Sequence, residues 1–128
     1  MDNSNAIQKM CEIYEKMLSE NFTGQLSYED GWIIWKMPND IIIKSTINIP
    51  PGEGYICAYY FDGKKENALT HWHPEVDEIY EDLMKINCGE IFWISTRRKS
   101  RANRLPVMFE KYEWDELSED IKNMYIIL

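Results

Sequence analysis

Histidine is nearly absent from this 128-residue chain. There are two, and both fall in the stretch Thr70-His71-Trp72-His73-Pro74-Glu75. Cysteine is also scarce: Cys11, Cys57 and Cys88 are odd in number and widely spaced. With no Cys-x-x-Cys pair, that pattern argues against a disulfide framework and a zinc knuckle, and predicts free, buried thiols in a reducing compartment. No apolar run approaches the length needed to span a membrane. The start Met1-Asp2-Asn3-Ser4-Asn5 lacks the basic residues and following apolar run of a secretory leader, so a cytoplasmic location is expected. Gly-x-Ser-x-Gly, the P-loop and Gly-x-Gly-x-x-Gly are all missing, as are repeats, linkers and low-complexity segments.

What is present is apolar, aromatic and acidic. The apolar share of 45% belongs to a chain that folds, and five Trp with eight Tyr is a rich supply of rings. Some of these are expected at the surface, where amphipathic aromatics anchor partners. Acidic residues outnumber basic ones 22 to 14, a net of −8. Five of the basic residues (Arg97, Arg98, Lys99, Arg101 and Arg104) crowd into eight positions, which leaves the remainder at a net of −13. A field of that sign repels nucleic acid and attracts basic proteins. Solubility alone is the plainer explanation of the same surface.

Hydrophobic spacing predicts one α+β domain over residues 1–128: a mainly antiparallel meander sheet packed with about three helices. Ile7, Met10, Cys11, Tyr14, Met17 and Leu18 form the stripe of a first helix, with Ser4 or Asn5 as its cap and Asn21 to Gly24 as its end. Strands follow at 25–28, 32–37, 41–49, 55–61 and 68–72. Asp30-Gly31 is a hairpin signal, since such a turn needs positive φ, and Pro38-Asn39-Asp40 marks another turn. In Trp32-Ile33-Ile34-Trp35 and in Tyr55 through Phe61 both alternating faces are apolar. Either helices cover both sides of that sheet or one side is left aromatic for a partner. From Pro74 the period turns helical, with Val76, Ile79, Tyr80, Leu83 and Met84 inward and Gly89 at the end. A strand at 90–96, the basic loop, a strand at 105–112 and a last helix over 115–128 complete the reading.

The histidine stretch is the candidate site. On a strand, His71 and His73 point to one face, where two imidazoles and a carboxylate from Glu75 or Glu78 can share a metal. The spacing His-x-His-x4-Glu (His71, His73, Glu78) resembles the first metal-binding motif of cupins over eight residues. The chain departs from that motif in the glycine six before His71, the glycine seven after Glu78 and the third histidine. The helical pattern after Pro74 also conflicts with the extended segment a cupin requires. The competing reading is structural: a strand-to-helix corner whose ring nitrogens bond nearby backbone. A small metal-dependent enzyme using His71 and His73 is therefore the alternative to a binding protein that needs neither metal nor other cofactor. No cysteine is placed for nucleophilic catalysis: Cys11 lies on the first helix's stripe, Cys57 mid-strand, and Cys88 at a helix C-terminus, where the dipole disfavours a thiolate. The basic loop is the best nucleic-acid candidate, because arginine forks suit phosphate. On so negative a body, pairing with the protein's own acidic helices is the expected use.

The run Tyr55-Ile56-Cys57-Ala58-Tyr59-Tyr60-Phe61-Asp62-Gly63, then Thr70 to Pro74 and the acidic helix, resembles small bacterial proteins encoded beside secreted toxins. The general character (short, acidic, aromatic, without an enzyme motif) is similar to immunity proteins of contact-dependent and polymorphic toxin systems. These families share no fold, so the resemblance transfers no residue roles. It implies a non-enzymatic protein that binds a cognate protein toxin, often a basic nuclease, and occludes its active site. Neither nucleic acid nor membrane is an expected partner. The contact residues expected from charge and ring placement are Trp72, His73, Asp77, Glu78, Glu81 and Asp82.

Overall fold

In the computed structural model, which describes residues 3–97 and 105–128, the chain has the expected α+β architecture with antiparallel pairing throughout. It forms two compact units, Met1–Leu83 and Met84–Leu128. No helix among the described residues is long and apolar enough to cross a membrane.

In the first unit, helix α1 (Asn3–Ser19) is followed by strands β1 (Gln25–Glu29), β2 (Trp32–Lys36), β3 (Ile41–Asn48), β4 (Glu53–Phe61) and β5 (Glu66–Trp72). Their spatial order is their chain order, a five-stranded meander. The turn chemistry explains the topology. Asp30 and Gly31 take φ of 49° and 87°, so a two-residue turn folds β2 directly back on β1. Asp40, at φ 69°, completes the turn after Pro38, and Asn39 Oδ1 accepts the Ile41 amide at 3.1 Å. Asp62 closes the β4–β5 turn by accepting the amides of Lys64 and Lys65 at 2.8 and 3.0 Å.

Register assigns side chains to the two faces of this sheet. Ile33 and Trp35 of β2, Ile41, Ile43, Ser45 and Ile47 of β3, and Ile56 and Ala58 of β4 share one face, and all are buried. Helix α1 covers that face with Ala6, Met10, Ile13 and Met17. The buried stripe is thus rotated from the expected one, and Ile7 and Leu18 stay exposed at its margins. Ser4 and Asn5 lie inside α1 and not before it. After Pro74 a 3₁₀ turn (Val76–Glu78) precedes helix α2 (Ile79–Asn87), so α-helix starts later than the sequence pattern suggests. Ile79 and Leu83 are fully buried. Gly54 makes this packing possible. A Cβ there would come within 2.6 Å of the Pro74 carbonyl oxygen and 2.7 Å of Ile79 Cγ1.

The second unit holds strands β6 (Ile91–Thr96), β7 (Val107–Glu110) and β8 (Tyr125–Ile127), ordered β7-β6-β8, with short helices α3 (Lys111–Asp115) and α4 (Glu119–Lys122). Gly89, at φ 85°, ends α2 as expected, with the Glu90 amide reaching back to the Lys85 carbonyl at 2.9 Å. The single last helix expected over 115–128 is replaced by a helical turn and a strand. Ser118 accepts the Ile121 amide and starts a new four-residue helix. Beyond it, Tyr125-Ile126-Ile127 pairs with β6, an outcome suited to β-branched and aromatic residues. The strand expected over 105–112 shortens to β7 because Glu110 and Glu113 form a reciprocal cap that opens α3. Trp93 fills the middle of this unit, 1% exposed.

Candidate functional site

The expected contact residues separate between the two sides of the first sheet. Trp72 stands opposite Ile56, on the helix-covered side, and its indole Nε1 donates to Asp82 Oδ2 at 2.9 Å. That bond fastens the end of β5 to α2. Asp77 and Glu78 of the 3₁₀ turn and Glu81 of α2 are exposed, while Asp82 is half-buried. His73 belongs to the opposite side. Trp72 and His73, adjacent in sequence, therefore lie on opposite sides of the sheet.

The contacts of α1 and α2 described above fall on the other side, and aromatic groups occupy this one. Trp32 from β2, Tyr55 from β4, His71 from β5 and His73 just beyond it form a contiguous ring cluster. The Trp32 and Tyr55 rings meet nearly perpendicular, at 6.1 Å and 88°. Tyr55 lies 5.8 Å from the His71 ring and 5.2 Å from that of His73, and the two imidazoles are 5.7 Å apart. The same-face placement of the histidines is the one their spacing predicts. His73 Nδ1 stands 3.4 Å from Glu53 Oε1, an ion pair whenever the imidazole is protonated. Among the described residues no group of three or more His, Cys, Asp or Glu is arranged to hold a metal.

Beside the cluster lies a second set of groups. Lys44 Nζ is 2.8 Å from Glu66 Oε1 and stands over the Tyr59 ring at 4.8 Å from its centroid. The Cys57 thiol, buried beneath, is 3.5 Å from Tyr59 Oη and 3.4 Å from the Lys44 carbonyl oxygen. Contact with that sulfur, and then burial, pushes the Tyr59 phenol up to about 12. Burial likewise raises Tyr55. Both phenols are neutral at physiological pH, so the fixed charges here come from Lys44, Glu53, Glu66 and the hairpin residues Glu29 and Asp30. A cavity of about 420 Å3 opens between Lys44 and that hairpin, with Trp32, Ile34 and Tyr59 as its apolar lining.

Trp32, Tyr55 and Tyr59 were not among the contact residues expected from sequence. The signal for them was present, since residues 32–35 of β2 and 55–61 of β4 are all apolar or aromatic, whereas the helical contacts described above fall on one side of the sheet. Of the three thiols, Cys57 is buried as expected, whereas Cys11 is half-exposed and Cys88 is exposed. Of the basic loop, Arg98, Lys99, Arg101 and Arg104 lie outside the described residues. Arg97 is described, and its Nε donates to the Tyr125 carbonyl at 3.1 Å.

No protein-family model matches this chain, and neither a curated protein nor a solved structure is significantly similar to it.

Proposed function

We propose that this chain is a non-enzymatic, cytoplasmic binding protein of the immunity type, which neutralises a cognate protein toxin by covering the toxin's basic active site. The observation that carries the reading is the coincidence of charge and rings in one unit. Met1–Leu83 contains 15 acidic and 6 basic residues, a net of −9, and the same unit bears the uncovered face of Trp32, Tyr55, Tyr59, His71 and His73. Charge of one sign accelerates encounter with a partner of the other, while rings that leave water on docking supply most of the affinity. Asp77, Glu78 and Glu81 then steer, and the ring face holds.

The test is capture of the secreted protein encoded immediately upstream, followed by association and dissociation rates for two variants. Trp32→Ala with Tyr55→Ala is expected to speed dissociation at least tenfold, about 1.4 kcal/mol or more of lost contact. Failure of the purified chain to bind or inhibit that toxin removes the proposal.

The paired imidazoles favour a second reading, a small metal-dependent enzyme using His71 and His73. It requires stoichiometric transition metal in the purified protein, lost in His71→Ala.

A further inference from the structure

The cavity beside the β1–β2 hairpin has an asymmetric charge arrangement. Glu29 pairs directly across from Trp32 on the uncovered face, and Asp30 sits in the turn next to it. Both carboxylates line the cavity, and neither has an ion-pair partner among the described residues. The cation on the far wall, Lys44, is already compensated by Glu66 at 2.8 Å and already stacked over Tyr59. Lys44 with its three acidic neighbours Glu29, Asp30 and Glu66 therefore leaves a local excess of two negative charges. Between the two ends run Ile34 and the ring of Trp32, which is 36% exposed and braced edgewise by Tyr55. An apolar floor, an accessible indole and two unpaired carboxylates at one end together match a long side chain ending in a cation.

We propose that this cavity receives an arginine side chain projecting from the partner protein, a reading that deepens the one above and rests on this face being a protein-docking surface. The aliphatic stem lies along Ile34, and the guanidinium lies against Trp32 with its N–H edges toward Glu29 and Asp30. Guanidinium suits these walls better than ammonium because it is planar, weakly hydrated and able to stack and fork at once, whereas ammonium keeps its water. An anionic ligand would meet the two carboxylates and find Lys44 occupied. The protein makes the same kind of contact internally, where Lys44 stands over Tyr59.

The experiment is an NMR titration of the full chain, 15N-labelled, with acetyl-Gly-Arg-Gly-amide and with its lysine and citrulline counterparts at fixed ionic strength. The reporter is the Trp32 indole N–H, identified by its loss in Trp32→Phe. The arginine peptide is expected to shift that signal, the citrulline peptide to bind about tenfold more weakly, and the lysine peptide to fall between. The double variant Glu29→Gln, Asp30→Asn is expected to weaken the arginine peptide about tenfold without disturbing the turn, since asparagine readily takes the φ of 49° held by Asp30. Equal binding of arginine and citrulline peptides, no movement of the Trp32 signal, or an unaltered affinity in the double variant would each overturn the inference. The same double variant, tried in toxin capture, separates the two claims. Capture that survives it undiminished sinks the arginine cavity and leaves the immunity reading standing. Arginine selectivity without any toxin capture sinks the immunity reading and keeps the cavity.

Discussion

At the scale of single residues, Ser45 illustrates how a buried polar group is carried at a cost. It lies on the covered side of β3, fully inaccessible, and its hydroxyl finds no hydrogen-bond partner among the described residues. A hydroxyl taken from water without compensation destabilises a fold. Ser45→Ala is therefore expected to raise stability by up to about 1 kcal/mol, read as a higher urea midpoint at unchanged slope. A lower midpoint would mean that the hydroxyl is satisfied in solution. Trp35 presents the opposite case. It is wholly buried on the same face, meets Phe22 edge-on at 5.1 Å and donates its indole N–H to the Thr23 carbonyl. Trp35→Ala removes the largest side chain of that core and is expected to cost about 3–5 kcal/mol, enough to unfold a marginal domain in the same urea series.

At the scale of elements, two junctions set the geometry of the uncovered face. Gly54 lets β4 pass close beneath the Pro74 corner, and the required clearance cannot accommodate a methyl group. Gly54→Ala is expected to destabilise by about 1–3 kcal/mol and to shift the amide signals of the corner residues before those of α1. The β4–β5 turn depends on Asp62, whose carboxylate accepts two amides and the Asn67 side chain, a set that lowers its pKa to about 2. A carboxyl depressed in the folded state binds its proton less tightly there than in the unfolded chain. Its contribution is present above the ordinary value of 3.8 and is lost as pH falls toward about 2. A 13C titration of the Asp62 carboxyl should show its midpoint near the lower figure, with turn amides moving over the same range. A midpoint near 3.8 would contradict the hydrogen-bond set.

At the scale of the whole molecule, charge is the long-range feature that a protein approaching as proposed above would meet first. The net of −8 hides an uneven distribution, because Met1–Leu83 carries −9 and the remaining residues +1. Exposed charges are screened beyond roughly 8 Å at physiological ionic strength, so steering is expected to weaken steeply with salt while a desolvated ring contact is not. Raising salt from about 0.05 to 0.5 M should slow association with a basic partner several-fold and leave dissociation nearly unchanged. Replacing Asp77, Glu78, Glu81 and Asp82 by Asn or Gln should slow association at low salt and flatten that dependence. Asp82 adds a structural cost, since it accepts the Trp72 indole. A salt dependence identical to that of the parent protein would remove this acidic surface from the binding path.

The chain itself determined what depends on neighbours close in sequence. Asp30-Gly31, Pro38-Asn39-Asp40 and Asp62-Gly63 prescribe tight turns, tight turns prescribe antiparallel neighbours, and a run of such neighbours is a meander. The period-two rule likewise places His71 and His73 on one face. Tertiary packing decided the rest. Which stripe of α1 went inward depended on the shape of the sheet it met, and Ala6 and Ile13 replaced Ile7 and Leu18. The last fourteen residues form a turn of helix and a strand because β6 offered an edge to pair with, and a helical spacing of apolar residues carries no information about such an edge. Whether Trp72 faces a partner or Asp82, and whether Trp32 and Tyr55 are core or surface, follows from which side of the sheet the helices cover. Sequence alternation divides a strand into two faces, but only long-range contacts between elements distant in the chain decide which of the two remains open to water.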